Sequence, residues 1–359
     1  MKHALCKAAV AVTLLLSIGV SYAARPGDVP PVPPAAADAA RARGGTEPAA
    51  CRDTTPHKVT FVNVEPGVRL EVLDWGGAQN PRTMVLLTGL GDNAHVYDGF
   101  AFQFTDHFHV IGITRRGFLP SSQPDHGYDV PTRARDDIAV LDALGIEKAT
   151  FVGHSLAGSE LSKLGELYGH RVDRLVYLDA ADLSQRFSPS RVEPPGSDSL
   201  FTAAALRSLD AYQAAAARYV ALRKPNPSVC NSVRFDAHGA IVDSTTPDWV
   251  SAQLLEGVAA NPPTPWASIA EPRLGIFALF TLEARQPWYW YLTPAQQQAF
   301  DAAWPPIVDW HRDTVDKFVR NNPVDVLMLP GAPHYVYIDN ETDVVRAMWR
   351  FLGLPVDRE

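Results

Sequence analysis

In the run Phe151-Val152-Gly153-His154-Ser155-Leu156-Ala157-Gly158, a serine sits where an apolar stretch gives way to a helical pattern. A hydroxyl at such a bend is a candidate nucleophile, because the backbone can turn sharply enough to expose it only if its neighbours are small. Gly153 and Gly158 meet that need, while Ala157, the smallest residue with a β-carbon, stands where G-x-S-x-G has its last glycine. A nucleophilic serine needs a base to take its proton. Of the eleven histidines, His334 is best placed, in the loop Pro330-Gly331-Ala332-Pro333-His334-Tyr335 between an apolar strand and a terminal helix. Attack on a carbonyl also needs donors for the developing charge. The turn Thr88-Gly89-Leu90-Gly91-Asp92 follows a buried strand, and the backbone N–H groups of Leu90 and Leu156 are the candidate oxyanion donors.

These residues need a scaffold. Residues 58–64 and 68–75 alternate in polarity and predict an antiparallel hairpin turning at Glu65-Pro66-Gly67. Apolar runs at 83–88, 107–114, 149–153, 174–179, 273–281 and 324–329 predict six further strands, with His107 and His109 read as structural or exposed. Helical patterns lie between them. Ala157, Leu161, Leu164 and Tyr168 form one stripe after Ser155, residues 133–144 carry Ile138, Leu141 and Leu144 before a stop at Gly145, and residues 341–352 form the last helix. Such alternation means a mostly parallel sheet covered on both faces.

The interval 183–270 is too long for a simple connection and should carry structure of its own. A helix is expected over 201–223, with Phe201, Ala205, Leu209, Tyr212, Ala216, Tyr219 and Val220 on one face and Pro225 and Pro227 beyond it. A second is expected over 248–259, with Trp249, Leu254, Leu255 and Val258. Together they would form a cap that narrows the approach to Ser155. The later aromatic residues, Trp266, Trp288, Tyr289, Trp290, Tyr291, Trp304 and Trp310 among them, are read as core beneath it, and none is assigned to a ligand.

Asp74-Trp75-Gly76-Gly77, Thr88-Gly89-Leu90-Gly91, Thr114-Arg115-Arg116-Gly117-Phe118, the Ser155 run, Leu178-Asp179-Ala180-Ala181 and Pro333-His334, in that order, give residues 59–352 a resemblance. The chain resembles the α/β-hydrolases of serine esterase and lipase type. The resemblance implies an α/β-hydrolase fold, with a mostly parallel eight-stranded sheet, helices on both faces and an inserted, mainly helical cap. It implies cleavage of a small-molecule ester or acyl substrate through an acyl-enzyme intermediate. Relatives usually have His-Gly where this chain has Thr88-Gly89, a change expected to alter how the loop is braced.

An acid must orient the imidazole of His334. Asp179, directly after the sixth strand, is the first choice; Glu283, beyond the seventh, is second and Asp182 third. Because the base acts neutral, activity should rise as pH passes upward through about 6.5, shifted by the acid partner. Other chemistries of the same scaffold stay open: a lactonase, a perhydrolase, or an aminopeptidase using Glu193, Asp198 or Asp236 for the substrate amine. A non-catalytic binding protein on this scaffold also stays open. Epoxide and haloalkane hydrolases use Asp where this chain has Ser155.

Lys2 and Lys7 precede a short apolar stretch over 8–20 and the small residues Ser21-Tyr22-Ala23, a pattern that predicts a signal peptide over 1–23 and export to the periplasm or beyond the cell. Cys6 lies before the apolar stretch, so no lipid anchor and no stable membrane attachment are expected. Residues 24–57 read as a Pro/Ala-rich, extended and disordered leader. The expected organisation is then a hydrolase core over 58–182 and 271–359, interrupted by the cap over 183–270. Loss of Lys2 and Lys7, with no acid removed, moves the formal net charge from −8 to −10, which disfavours nucleic acid and anionic lipid as partners. Cys51 and Cys230 remain and are free to pair in an oxidising compartment. No group of His, Cys, Asp and Glu has metal-ligand spacing, and Gly89 and Gly91 lack the rest of a nucleotide loop, so no metal and no cofactor are expected. The oligomeric state is left open.

Overall fold

The computed structural model describes residues 48–180, 203–220, 227–282, 289–321 and 325–355. Eight strands form its main sheet: β1 (Lys58–Glu65), β2 (Val68–Gly76), β3 (Thr83–Leu87), β4 (His109–Thr114), β5 (Ala149–His154), β6 (Val172–Leu178), β9 (Arg273–Leu279) and β10 (Asp325–Pro330). Their order is β1-β2-β4-β3-β5-β6-β9-β10. The two strands at one edge pair antiparallel and the rest run parallel. Each sequence-predicted strand is present within two residues of its expected ends; His109 begins β4, and His107 lies just before it.

Parallel strands buried on both faces explain the unbroken apolar runs. Along β3, Met84 and Leu86 face one cluster with Tyr97, Phe104, Val344 and Met348, while Val85 and Leu87 face the other with Ile138, Leu141, Leu161 and Phe318. This is the two-residue period of a strand. Burying one such side chain completely contributes about 1.5–3 kcal/mol.

The helices are α1 (Val130–Ala143), α2 (Ala157–Tyr168), α3 (Leu209–Val220), α4 (Pro227–Ser232), α5 (Asp248–Ala260), α6 (Pro294–Asn321), α7 (Val336–Asp339) and α8 (Glu341–Leu352). α1 starts three residues earlier than expected, because Asp129 caps it by accepting the Thr132 N–H at 2.8 Å and Pro131 fits its first turn. The helix expected over 201–223 starts later. Ser208 is extended and its Oγ accepts the Ala211 N–H at 3.2 Å, so this serine caps a helix that begins at Leu209. Residues 201, 202 and 221–223 lie outside the described residues.

The interval expected to be mainly helical also holds a small antiparallel pair, β7 (Val233–Phe235) and β8 (Ile241–Ser244). Asp236 closes its turn by accepting the N–H groups of His238 and Ala240, and Gly239 takes φ 79°. These strands and α3 share an apolar cluster with Phe280, Tyr289, Phe300, Trp304 and Ile307. Part of the aromatic segment is therefore core, and α6, which was not anticipated, supplies much of it. Pro305 and Pro306 lie inside α6, where the rule that proline ends a helix would have cut it.

Cys51 and Cys230 form a disulfide, with Cα atoms 5.5 Å apart across 179 residues of sequence. The last part of the supposed extended leader is thus ordered. Residues 49–51 form a helical turn, and the His57 side chain is only 3% exposed. The expected signal peptide lies outside the described residues, as does the leader before residue 48. Among the described residues no helix is long and apolar enough to cross a membrane.

Candidate active site

Ser155 follows β5 directly and adopts φ 53°, a left-handed conformation that costs a non-glycine residue roughly 1–2 kcal/mol. The fold holds it there. Its N–H donates to the Leu178 carbonyl at the end of β6, and its carbonyl accepts the Gly158 N–H at 2.9 Å. The crowding shows why the flanking residues are small. A β-carbon on Gly153 would stand 2.9 Å from that of Ala157, and one on Gly158 would stand 2.4 Å from the Ala180 carbonyl oxygen. Space kept by Gly153 is what admits Ala157 in place of a glycine.

Asp179, one residue past β6, also has positive φ, at 45°. An aspartate tolerates this better than most residues. Its N–H donates to the Ile276 carbonyl, and its Oδ1 accepts the Ala278 N–H at 3.0 Å, which leaves Oδ2 to face the loop after β10. There it meets His334 Nδ1 at 2.6 Å, with both side chains at most 10% exposed. Asp182 and Glu283 lie outside the described residues.

His334 is tied to the serine bend by a residue that sequence reasoning passed over. His154 donates its Nε2–H to the His334 main-chain carbonyl at 3.1 Å, and the two rings lie 4.5 Å apart. Burial, with the nearby charge of His334, pushes the His154 pKa well below the usual histidine value, so this imidazole is neutral. A second tie comes from the next residue. Tyr335 donates its hydroxyl to Asp92 Oδ2 at 3.1 Å, joining the histidine loop to the glycine-rich turn.

That turn lies against the serine: a β-carbon on Gly89 would stand 2.8 Å from His154 Nδ1 and 3.3 Å from Ser155 Cβ. Arg115 braces it from behind. Its guanidinium donates to the carbonyls of Thr88 at 2.8 Å and Gly89 at 3.2 Å, and grips Glu160 of α2 through two bonds of 2.7 and 2.8 Å. Arg133 adds a bond of 2.6 Å to Glu160, and the two guanidinium groups hold that carboxylate's pKa below its usual value despite burial. The Thr88 side chain adds its own brace, donating its hydroxyl to the Asp92 carbonyl at 3.3 Å. Burial dominates at Asp92, whose pKa rises to about 7.

Leu90 and Leu156 are both buried, and their side chains belong to one cluster with Phe118, Val130, Trp249 and Leu254. Leu156 stands at the N-terminal end of α2, where main-chain N–H groups lack partners within the helix and favour negative charge. Ser155, His334 and Asp179 are therefore gathered at the C-terminal ends of β5, β10 and β6, with the Leu90 turn beside them at the end of β3. An imidazole held at Nδ1 by a carboxylate can accept a hydroxyl proton at Nε2.

Comparison with known proteins agrees with this architecture. Residues 82–233 match the family described as the alpha/beta hydrolase fold. An uncharacterised protein of Mycobacterium tuberculosis is 30% identical over 37% of this chain and 38% of its own length. Esterase YbfF of Escherichia coli is 33% identical over 28% of this chain and 40% of its own, and a non-heme chloroperoxidase of Streptomyces lividans is 32% identical over 28% and 37%. The matched part thus spans well under half the length of these relatives. Among solved structures, E-2-(acetamidomethylene)succinate hydrolase superposes with a TM-score of 0.60 at 18% identity, over 83% of this chain and 99% of that one. The enol-lactonase of Burkholderia xenovorans gives 0.55 at 20% identity, over 82% and 100%. Strand order and the sharp bend after β5 give this chain an α/β-hydrolase fold, and its residues 82–233 match that family.

Proposed function

We propose that the protein is an exported serine hydrolase that cleaves carboxylic esters through an acyl-enzyme. The observation that carries the reading is the 2.6 Å contact between His334 Nδ1 and Asp179 Oδ2, on a histidine whose own carbonyl is held by the residue before Ser155. In the proposed mechanism Asp179 fixes the imidazole with its proton on Nδ1, leaving Nε2 to take the Ser155 proton. Ser155 Oγ then attacks the ester carbonyl, and the Leu90 and Leu156 amides receive the oxyanion. Collapse expels the alcohol, which takes the proton from His334, and water attacks the acyl-serine by the reverse roles.

One of the relatives is named an esterase, which supports the ester reading. A lactone is an internal ester and would react by the same steps. The test is labelling by a fluorophosphonate probe, followed by hydrolysis of p-nitrophenyl esters of rising acyl length and of a lactone panel. Labelling and turnover that both vanish in Ser155→Ala support the proposal. Turnover that survives in Ser155→Ala, or a wild-type protein inert to probe and esters, would overturn it.

A further inference from the structure

A second, partly buried cluster is made by four titratable side chains that no spacing in the sequence hints at. Asp53 and His57, just before β1, meet His95 and Asp98 in the helical turn after the glycine-rich segment, with one donor atom from each within 4.8 Å of all the others. Individual separations are 3.0 Å for His57 Nε2 to Asp53 Oδ2, 3.1 Å for His95 Nδ1 to Asp98 Oδ2 and 3.5 Å for His95 Nδ1 to Asp53 Oδ2. Four donors bound at zinc distances around a tetrahedral ion stand roughly 3.3–3.6 Å from one another. The cluster is close to that geometry before any ion draws it in.

The surroundings point the donors at one spot. Trp75 Nε1 donates to Asp98 Oδ1 at 2.9 Å, and the Thr55 N–H donates to Asp53 Oδ1 at 2.9 Å, so each aspartate has its Oδ2 turned toward His95. Glu71 Oε1 stands 3.8 Å from His95 Nε2, on the far side of the ring from the cluster, and Glu71 is itself fixed by the Thr114 hydroxyl at 2.7 Å. A carboxylate behind an imidazole is how proteins orient a metal-bound histidine. His57 adds an independent sign: its side chain is 3% exposed, and its Nδ1 is buried without a hydrogen-bond partner, 3.6 Å from Asp98 Oδ1.

Charge argues the same way. Asp53, Asp98 and Glu71 bring three carboxylates around two imidazoles, and among the described residues these carboxylates pair with His57 and His95 and with no Lys or Arg. Carboxylates gathered around imidazoles hold either protons on the rings or a metal ion in their place, since metal binding releases those protons. With two imidazoles in the set, the fitting ion is a borderline-soft divalent metal such as Zn²⁺ rather than Ca²⁺ or Mg²⁺, which prefer oxygen alone.

We infer that Asp53, His57, His95 and Asp98 form a structural zinc site that clamps the segment before β1 onto the turn following Leu90. Four protein ligands leave no open position, so the ion's task is structural. Together with the Cys51–Cys230 disulfide it would fasten this segment at two points.

The test uses the purified full chain and Zn²⁺ itself. After chelator treatment and desalting, the protein should take up one zinc per chain, its Tm should fall on stripping and return with one equivalent, and Co²⁺ should give the visible spectrum of a tetrahedral site. His95→Gln and Asp98→Asn should lower zinc affinity at least about tenfold, and Glu71→Gln about 10–100-fold, the range for a residue that orients a metal-bound histidine. Zinc bound equally well by these variants, or a stripped wild type with unchanged Tm and no stoichiometric uptake, would overturn the inference. Should a variant fail to fold, the Co²⁺ spectrum of the wild type decides: absence of tetrahedral bands rejects the site.

Discussion

His154 and His334 are 180 residues apart in sequence, yet the side chain of the first donates to the main-chain carbonyl of the second across 3.1 Å. The residue before the proposed nucleophile thereby sets the position of the proposed base. Replacing His154 by Ala removes the bond and the ring that packs against His334 and Tyr335. The expected result is a loss of kcat of roughly tenfold or more with KM little changed, since misplacement by about 1 Å costs up to 10²-fold. Because this imidazole stays neutral, the shape of the pH–rate profile should not move. Steady-state kinetics on a short p-nitrophenyl ester across pH checks both statements.

Asp179→Asn tests the acid directly. Asparagine tolerates the left-handed backbone and can still accept the Ala278 N–H, so the fold should persist. Its amide group would favour the wrong imidazole tautomer, and kcat should drop by about 10³–10⁴-fold. A thermal melt within a few degrees of wild type, measured with the kinetics, separates chemistry from unfolding. Near-normal kcat would return the role to Glu283 or Asp182.

Arg115 joins the glycine-rich turn to α2, and lysine cannot reproduce its planar fork. Arg115→Lys should release the Thr88 and Gly89 carbonyls and weaken the buried grip on Glu160. Breaking a buried ion pair typically costs about 3–5 kcal/mol, an upper bound here because lysine keeps the charge and Arg133 still contacts Glu160. Urea unfolding should show the loss of stability, and slower fluorophosphonate labelling should show the loss of loop order.

Asp92 gives a stability prediction with a definite sign. Its pKa is near 3.8 when exposed and about 7 in the fold, so between those values the folded chain holds a proton that the unfolded chain has released. This contribution is fully present below about pH 4 and is lost as pH rises through 7. Asp92→Asn keeps an acceptor for the Tyr335 hydroxyl and removes the titration. The variant should melt above wild type at pH 8 and gain progressively less toward pH 5, the difference being on the order of 3 kcal/mol at most. Calorimetry at the two pH values measures it; an equal offset at both would refute the assignment.

Much of this arrangement was legible because it is local. The bend at Ser155 needs small neighbours close in sequence, and the strand ends carrying Leu90, Asp179 and His334 follow unbroken apolar runs. Where expectation and structure part, a short-range signal was outweighed. Ser208 cuts the helix expected from residue 201, Asp129 and Pro131 start α1 early, and β7 and β8 are too short to register as strands. Contacts that only folding creates stayed hidden. His154 gives no sign that it reaches residue 334, nor Arg115 that it spans Thr88 and Glu160, and Asp53 and His57 stand about forty residues from His95 and Asp98.

Trp249 and Leu254 of α5 share a cluster with Leu90 and Leu156, the two residues whose main chain would stabilise the transition state. Repacking α5 therefore also shifts the mounting of both residues. On the proposed function, substitutions at Trp249 or Leu254 should lower turnover of any ester, until compensating changes reseat Leu90 and Leu156.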